Sequence, residues 1–287
     1  MTDNSARTYW IQDMEAATQF MEQVLATPVQ ECGEGMASLP AAVRSEGVEV
    51  VFSDAPFPGG FERQFYLRQG LIDSFIGVCR DMNQRGWLLK VDDAYRSVAM
   101  QTALGRDSDI FKRILEKVIW ELNGRRPLAE LIFRRLSVLI ATRPKLGTHM
   151  SGSALDISVV ERNSRTPVDR GGPYLELSEK TPMDSPFVSD LARKNRRAIS
   201  ALLSKWGFVA YPWEFWHYSK GDIYGVLLGD RDKRGEVARY GAIDFNAAGN
   251  TLTPILESVE PLHTFTDIEE EIDRVYRSRG RGTPHQG

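Results

Sequence analysis

His149 and Asp156 lie close together in "LGTHMSGSALDISV", and Glu214 and His217 lie three residues apart in "WEFWHYS". The chain has only four histidines, so two of them next to carboxylates bear first on its chemistry. Two imidazoles and one carboxylate, with a fourth place left to water, are the donor set of a catalytic rather than a structural zinc. On that reading His149, Asp156 and His217 are the ligands. Glu214 is a non-ligating carboxylate beside the water, suited to general-base work. Each residue alone also has an ordinary reading. A histidine can be structural, an aspartate beside a turn can be a cap, and a Trp-rich strand can be core.

The elements that must position these groups follow from periodicity. After Gly152, Ala154, Asp156 and Ser158 share one strand face, and Leu155, Ile157 and Val159 share the other, apolar face. Asp156 therefore points away from the core among small neighbours, and the Ser-Gly-Ser segment lets His149 fold back toward it. A regular strand would put Glu214 and His217 on opposite faces, so a local turn or bulge helped by Pro212 is required. Upstream, residues 8–26 read as an amphipathic helix, 48–55 as a strand, 71–86 as a helix and 87–95 as a buried strand. Helices follow at 109–122 and 127–140. After the opening stretch comes a long Gly- and Pro-rich loop, whose length suggests function. A helix follows over 189–208, with Ser189 or Asp190 as N-cap and Leu191, Ile199, Leu202, Leu203 and Trp206 inward. An aromatic strand with a Pro kink covers 208–219. The C-terminal part reads as a hairpin, "RYGAIDFNAAGNTLTPI", then an acidic helix and a disordered "SRGRGTPHQG".

The order predicts an α+β fold with a small central antiparallel sheet flanked by helices. We expect a catalytic domain over residues 1–220 and an extension over 221–287 packed on it. A net charge of −3 argues against nucleic acid as the main partner. The Arg134-Arg135 pair and the Arg193–Arg197 run read as solvated helix faces. Cys32 and Cys79 lack metal-ligand spacing and read as free thiols of a reduced compartment. The N-terminus lacks the basic and apolar regions of a signal peptide, and no apolar run reaches membrane-span length. The expected location is the cytosol.

Taken together the segments resemble the signatures of the zinc D-alanyl-D-alanine peptidases, S-x-H-x-x-G-x-A-x-D and, downstream, E-x-x-H. His149, Gly152, Ala154 and Asp156 match the first, and Glu214, Trp216 and His217 match the second. The nearer likeness is to the D-Ala-D-Ala dipeptidases of vancomycin resistance. "DAYRS", which contains Arg96, "YLRQG" and "NRRAISALLSKWGFVAYPWEFWHYS" also resemble family segments, and the likeness spans about residues 48–220. The resemblance implies one Zn²⁺ per chain, a small peptide substrate ending in D-Ala, and Glu214 and Arg96 as catalytic groups. Arg96 would stabilise the oxyanion or grip a carboxylate; read by itself, it would be an ion pair with Asp92 or Asp93. Thr148, Ser151, Ser153, Asp184, Tyr95 and Trp216 are the candidate substrate contacts.

Two departures bear on the substrate. Gly147 stands where the family has a serine. Pro182 stands where the dipeptidases have an aspartate thought to hold the substrate's ammonium, with Asp184 two residues on. Three functions follow as expectations: a D-Ala-D-Ala dipeptidase, a D,D-carboxypeptidase acting on peptidoglycan precursors or muropeptides, and a catalytically silent binder of cell-wall peptides.

Overall fold

The pattern predicted over residues 8–26 begins five residues earlier, as α1 (Asp3–Ala26), which buries Trp10, Met14, Ala17, Met21 and Val24 along one stripe. The computed structural model describes residues 3–229, 237–255 and 261–280. After α1 come β1 (Met36–Ser38), α2 (Leu39–Glu46), β2 (Val50–Phe52), β3 (Tyr66–Arg68), α3 (Ile72–Gln84) and β4 (Trp87–Asp93). Then follow α4 (Val98–Arg106), α5 (Ser108–Glu121), α6 (Ala129–Leu139), β5 (Ala154–Glu161) and α7 (Asp190–Lys205). The order closes with β6 (Val209–Ala210), β7 (His217–Ser219), α8 (Ile223–Leu228), β8 (Ile243–Asn246), β9 (Thr251–Pro254) and α9 (Phe265–Gly280).

The fold is α+β, and its central sheet has the order β2-β4-β5-β7-β6. The four strands from β4 to β6 pair antiparallel, but β2 joins β4 in parallel. The sheet is therefore mixed, not the purely antiparallel one expected. The crossover through β3 and α3 is long enough to permit parallel pairing. β5 is central and gives Leu155, Ile157 and Val159 to a core shared with α3 and α7. A second core is mainly helical and unites α1, α5, α6 and α9.

Several side chains depart from their predicted environment. Leu191 is 57% exposed, because the inward stripe of α7 runs Ala192, Arg196, Ile199, Leu203, and Ser189 is the N-cap. Arg135 and Arg196 are buried rather than solvated. Arg135 is held by Glu121 at 2.9 Å, and Arg196 donates to backbone carbonyls. The predicted aromatic strand is two strands with a turn between. The amphipathic α4 was not anticipated.

The C-terminal extension packs α9 into the helical core through Ile268, Ile272 and Val275. The β8–β9 hairpin sets Ile243 and Phe245 against Tyr95. The segment read as disordered lies almost wholly outside the described residues, as does His285. Cys32 is exposed, Cys79 is buried, and both are free thiols. No helix among the described residues is long and apolar enough to cross a membrane.

Asp13, on α1, is partly buried, and its Oδ2 has no hydrogen-bond partner. Burial pushes this carboxyl up to about 7. The folded state therefore binds a proton more tightly than the unfolded state, and stability falls as pH rises from about 4 to about 7. Asp13→Asn is expected to raise the unfolding midpoint at pH 8 and to leave it nearly unchanged at pH 4. Thermal unfolding at the two pH values checks this. An equal shift at both would refute it.

Candidate metal centre

Asp93 of β4, Asp156 of β5 and His217 of β7 form one row across three adjacent strands, each directly opposite the next. Directly opposed residues of an antiparallel pair project from the same face. A bulge at Asp92 makes Asp93, not Asp92, the partner of Asp156. Two facing carboxylates repel, and Arg96 lies between them. Its Nε donates to Asp93 Oδ2 at 2.7 Å and its Nη2 to Asp156 Oδ2 at 2.9 Å. Asp92 instead accepts from Ser158 and pairs with Lys90.

His149 comes from a 3₁₀ turn, Thr148–Ser151, just before β5. Gly152 ends that turn at φ 69°, a left-handed backbone that favours glycine, and a Cβ there would also displace the tip of Met36, 2.4 Å away. The buried Arg68 clamps the turn. Its Nε donates to Ser151 O at 2.6 Å while its Nη atoms grip Glu31, and its backbone N–H donates to Gly152 O. This gives "YLRQG" a structural task. At the other end the chain turns between β6 and β7: Glu214 N–H donates to Tyr211 O, and His217 N–H to Glu214 O. The turn brings Glu214 to the wall of the pocket that holds His217.

The donor atoms of His149, Asp156 and His217 all lie within 4.8 Å of one another, and all three residues are buried. His149 Nδ1 lies 2.5 Å from Ala94 O, which can only accept. Nδ1 therefore carries the hydrogen, and Nε2 presents its lone pair to Asp156 Oδ1 at 3.1 Å, an acceptor facing an acceptor with no hydrogen-bond partner. His217 Nδ1 meets the same oxygen at 2.9 Å, and its Nε2 is held by the Thr148 hydroxyl at 2.8 Å. In the tautomer whose Nε2 donates to Thr148, His217 Nδ1 presents a third lone pair beside those of His149 and Asp156, an arrangement that fits a divalent cation, with carbonyl and hydroxyl partners fixing both rings.

The electrostatics agree. Burial pushes the Asp156 carboxyl up, and it is positive charge at the positions of His149 and then His217 that brings it well below the usual carboxylate range, so the site favours a cation beside Oδ1. Burial drives His217 below its ordinary value despite Asp156, which favours the neutral ring that a metal needs. Glu214 rises well above the ordinary range through burial and then through the charge of Asp156. Burial opposes the charge on Arg96, but Asp93 first, then Tyr174 and Asp156, keep it cationic.

The pocket brings together Arg96, His149, Asp156, Glu214 and His217, walled by Val138–Ala141, Leu146, Tyr211 and Tyr224. The expected substrate contacts fare differently. Thr148 lines the pocket, but its hydroxyl is engaged by His217 and does not replace the serine missing at Gly147. Gly147 is not forced by its backbone: φ is −85°, and a Cβ would meet nothing closer than 3.5 Å. Ser151 and Ser153 bond each other, and Ser153 donates to Asp222, so their hydroxyls belong to an internal network. Tyr95 is corrected to a core residue, its hydroxyl joined to Ile243 O and Phe245 N under the hairpin. Trp216 is 1% exposed, packed against Phe215 and Tyr174 and absent from the pocket lining. Asp184 is exposed on its loop and also stands outside the lining.

Two residues escaped the sequence reading. Gln101, a buried polar residue on the inward side of α4, accepts from Arg96 and donates to Ile140 O and Ala141 O. Its fellow α4 residues Met100 and Leu104 carry the apolar signal that could have flagged it. Tyr174, from the long loop after β5, donates to Asp156 Oδ2 at 2.9 Å. Only the loop's length hinted at it.

A buried site of this composition, and the family match, define the class as a metallopeptidase. Residues 136–231 match the family model Peptidase_M15, described as D-ala-D-ala dipeptidase. The chain is 27% identical over 268 residues to a D-alanyl-D-alanine dipeptidase of Synechocystis sp., covering 78% of this chain and 98% of that protein. It is 29% identical over 70 residues to a D-alanyl-D-alanine dipeptidase of Escherichia coli (strain K12), covering 24% of this chain and 36% of that one. Among solved structures it is similar to a vancomycin resistance D,D-pentapeptidase VanY mutant in complex with Zn(II). The TM-score is 0.34 at 14% identity, over 62% of this chain and 89% of that one.

Thr148→Val keeps shape but removes the hydroxyl that steadies His217. Loss of such a partner typically weakens metal binding about 10- to 100-fold. Zinc competition against a chromophoric chelator is expected to show a drop of that order, and unchanged affinity would argue against the role.

Proposed function

We propose that the protein hydrolyses D-alanyl-D-alanine at one zinc ion held by His149, Asp156 and His217, with Glu214 as general base. The observation that carries this reading is the convergence of three buried ligand atoms within 4.8 Å, with the His149 Nε2 lone pair unpartnered. When bound, zinc would polarise the scissile carbonyl and lower the pKa of a coordinated water to about 7.

The remaining work falls to side chains. Glu214 takes the proton from the attacking water and passes it to the leaving amine. Burial, then the charge of Asp156, raises its carboxyl well above the usual carboxylate range, which makes it a stronger base than an exposed glutamate. Arg96 presents its guanidinium to the pocket and offsets charge developing on the carbonyl oxygen or already on the terminal carboxylate. A donor of this kind contributes roughly 3–4 kcal/mol. The apolar wall of α6 and the tyrosines Tyr211 and Tyr224 exclude bulk water from these groups.

One observation favours a second reading, a D,D-carboxypeptidase that removes terminal D-Ala from longer peptides. Asp184 is exposed outside the pocket, and Pro182 occupies the other expected place, with its carbonyl taken by Arg196. That loop therefore offers no carboxylate to a free ammonium. Incubating the zinc-loaded protein with D-Ala-D-Ala and, separately, with a pentapeptide ending in it separates the readings by the D-Ala released. Release from neither would refute both. Glu214→Gln is expected to retain zinc while turnover falls about 10²- to 10⁴-fold, the usual worth of general acid–base catalysis. Near-normal turnover in that variant would remove Glu214 from the mechanism.

A further inference from the structure

Asp156 divides its two oxygens cleanly. Oδ1 faces both imidazoles, at 3.1 and 2.9 Å. Oδ2 receives two donors, Arg96 Nη2 and the Tyr174 hydroxyl, each at 2.9 Å. Arg96 has competing work, because it lines the pocket and also bonds Asp93 and Gln101. A guanidinium that shifts toward a substrate oxyanion loosens its grip on Oδ2. The Tyr174 hydroxyl also accepts from Arg96 Nη2, at 3.5 Å, a longer contact that leaves its own proton for Oδ2. The Tyr174 ring stands edge-on to Trp216, centroids 5.9 Å apart at 88°, and its hydroxyl points at the carboxylate.

The backbone around Tyr174 is built to hold it there. Leu175 adopts φ 60°, a left-handed conformation costly for a branched side chain. Its carbonyl accepts from Arg113 Nη2 of α5 at 2.7 Å, which anchors the loop to the helical core. Strain of this kind persists only where surrounding contacts over-determine it, and it concentrates at functional positions. Here it lies one residue from the hydroxyl on Asp156.

We propose that Tyr174 is a positioning residue that keeps Asp156 Oδ1 turned toward the metal while Arg96 engages the substrate. The inference rests on reading His149, Asp156 and His217 as a metal site. It is tested on the full-length chain with Tyr174→Phe, which keeps the ring against Trp216 and removes only the hydroxyl. Zinc affinity is measured by competition with a chromophoric chelator, beside the thermal midpoint of the metal-free protein. The expected result is a 10- to 100-fold loss of zinc affinity, the range for removing an outer-shell partner, while the metal-free variant still unfolds cooperatively at a modestly lower midpoint, because Asp156 keeps Arg96 as a donor. Zinc affinity within twofold of the wild type overturns the inference and leaves the metal site standing. A wild-type chain that takes up no zinc overturns the metal reading itself, and this inference with it.

Discussion

Everything at the centre depends on one buried carboxylate. Asp156 must stay ionised away from water, and an unpaired buried charge is among the most costly features a fold can carry. Its two oxygens meet two imidazoles, a guanidinium and a phenol. Each comes from a different part of the chain: the turn before β5, β7, the segment after β4 and the loop after β5. A fully satisfied polar cluster of this sort rigidifies its surroundings, and a partly satisfied one would destabilise them. The incomplete member is His149 Nε2, and the missing contact is what makes the cluster read as a cation site.

Guanidinium groups do the supporting work around it. Arg68 gathers the Glu31 segment, the His149 turn and the hairpin carbonyl of Gly241 onto one planar fork. Arg196 donates to the carbonyls of Arg170, Lys180 and Pro182, and Arg170 donates to Ile157 O. These contacts satisfy irregular backbone that no helix or ladder serves. That explains how a long Gly- and Pro-rich loop can be ordered beside the site. The site itself lies where the sheet meets the helical core, so α6, Tyr211 and Tyr224 form its apolar wall.

Much of this was legible in the chain. The alternation of residues 154–159 placed Asp156 on the polar face, and Leu155, Ile157 and Val159 do lie in the core. The turn demanded for Glu214 and His217 is present between β6 and β7. Other features were not. The Arg193–Arg197 run gave no sign that Arg196 would be buried, since helical periodicity does not say whether an arginine meets water or carbonyls. The loop that carries Tyr174 has no periodicity at all. Tyr95 and Trp216 sit within or beside site motifs, yet both serve packing, because neighbours in sequence can face opposite sides of a strand or turn.

The sequence by itself singled out the candidate groups for the proposed chemistry: two histidines, an aspartate, a glutamate and an arginine, each within a short segment with its own local pattern. Only the tertiary structure decided how they meet. It set Asp93, Asp156 and His217 in one row, chose Asp93 over Asp92 through a bulge, gave Thr148 to His217, and left Asp184 outside the pocket. The reason is physical. Residue type and local periodicity are properties of short windows, whereas strand register and loop path depend on pairings between segments far apart in the chain.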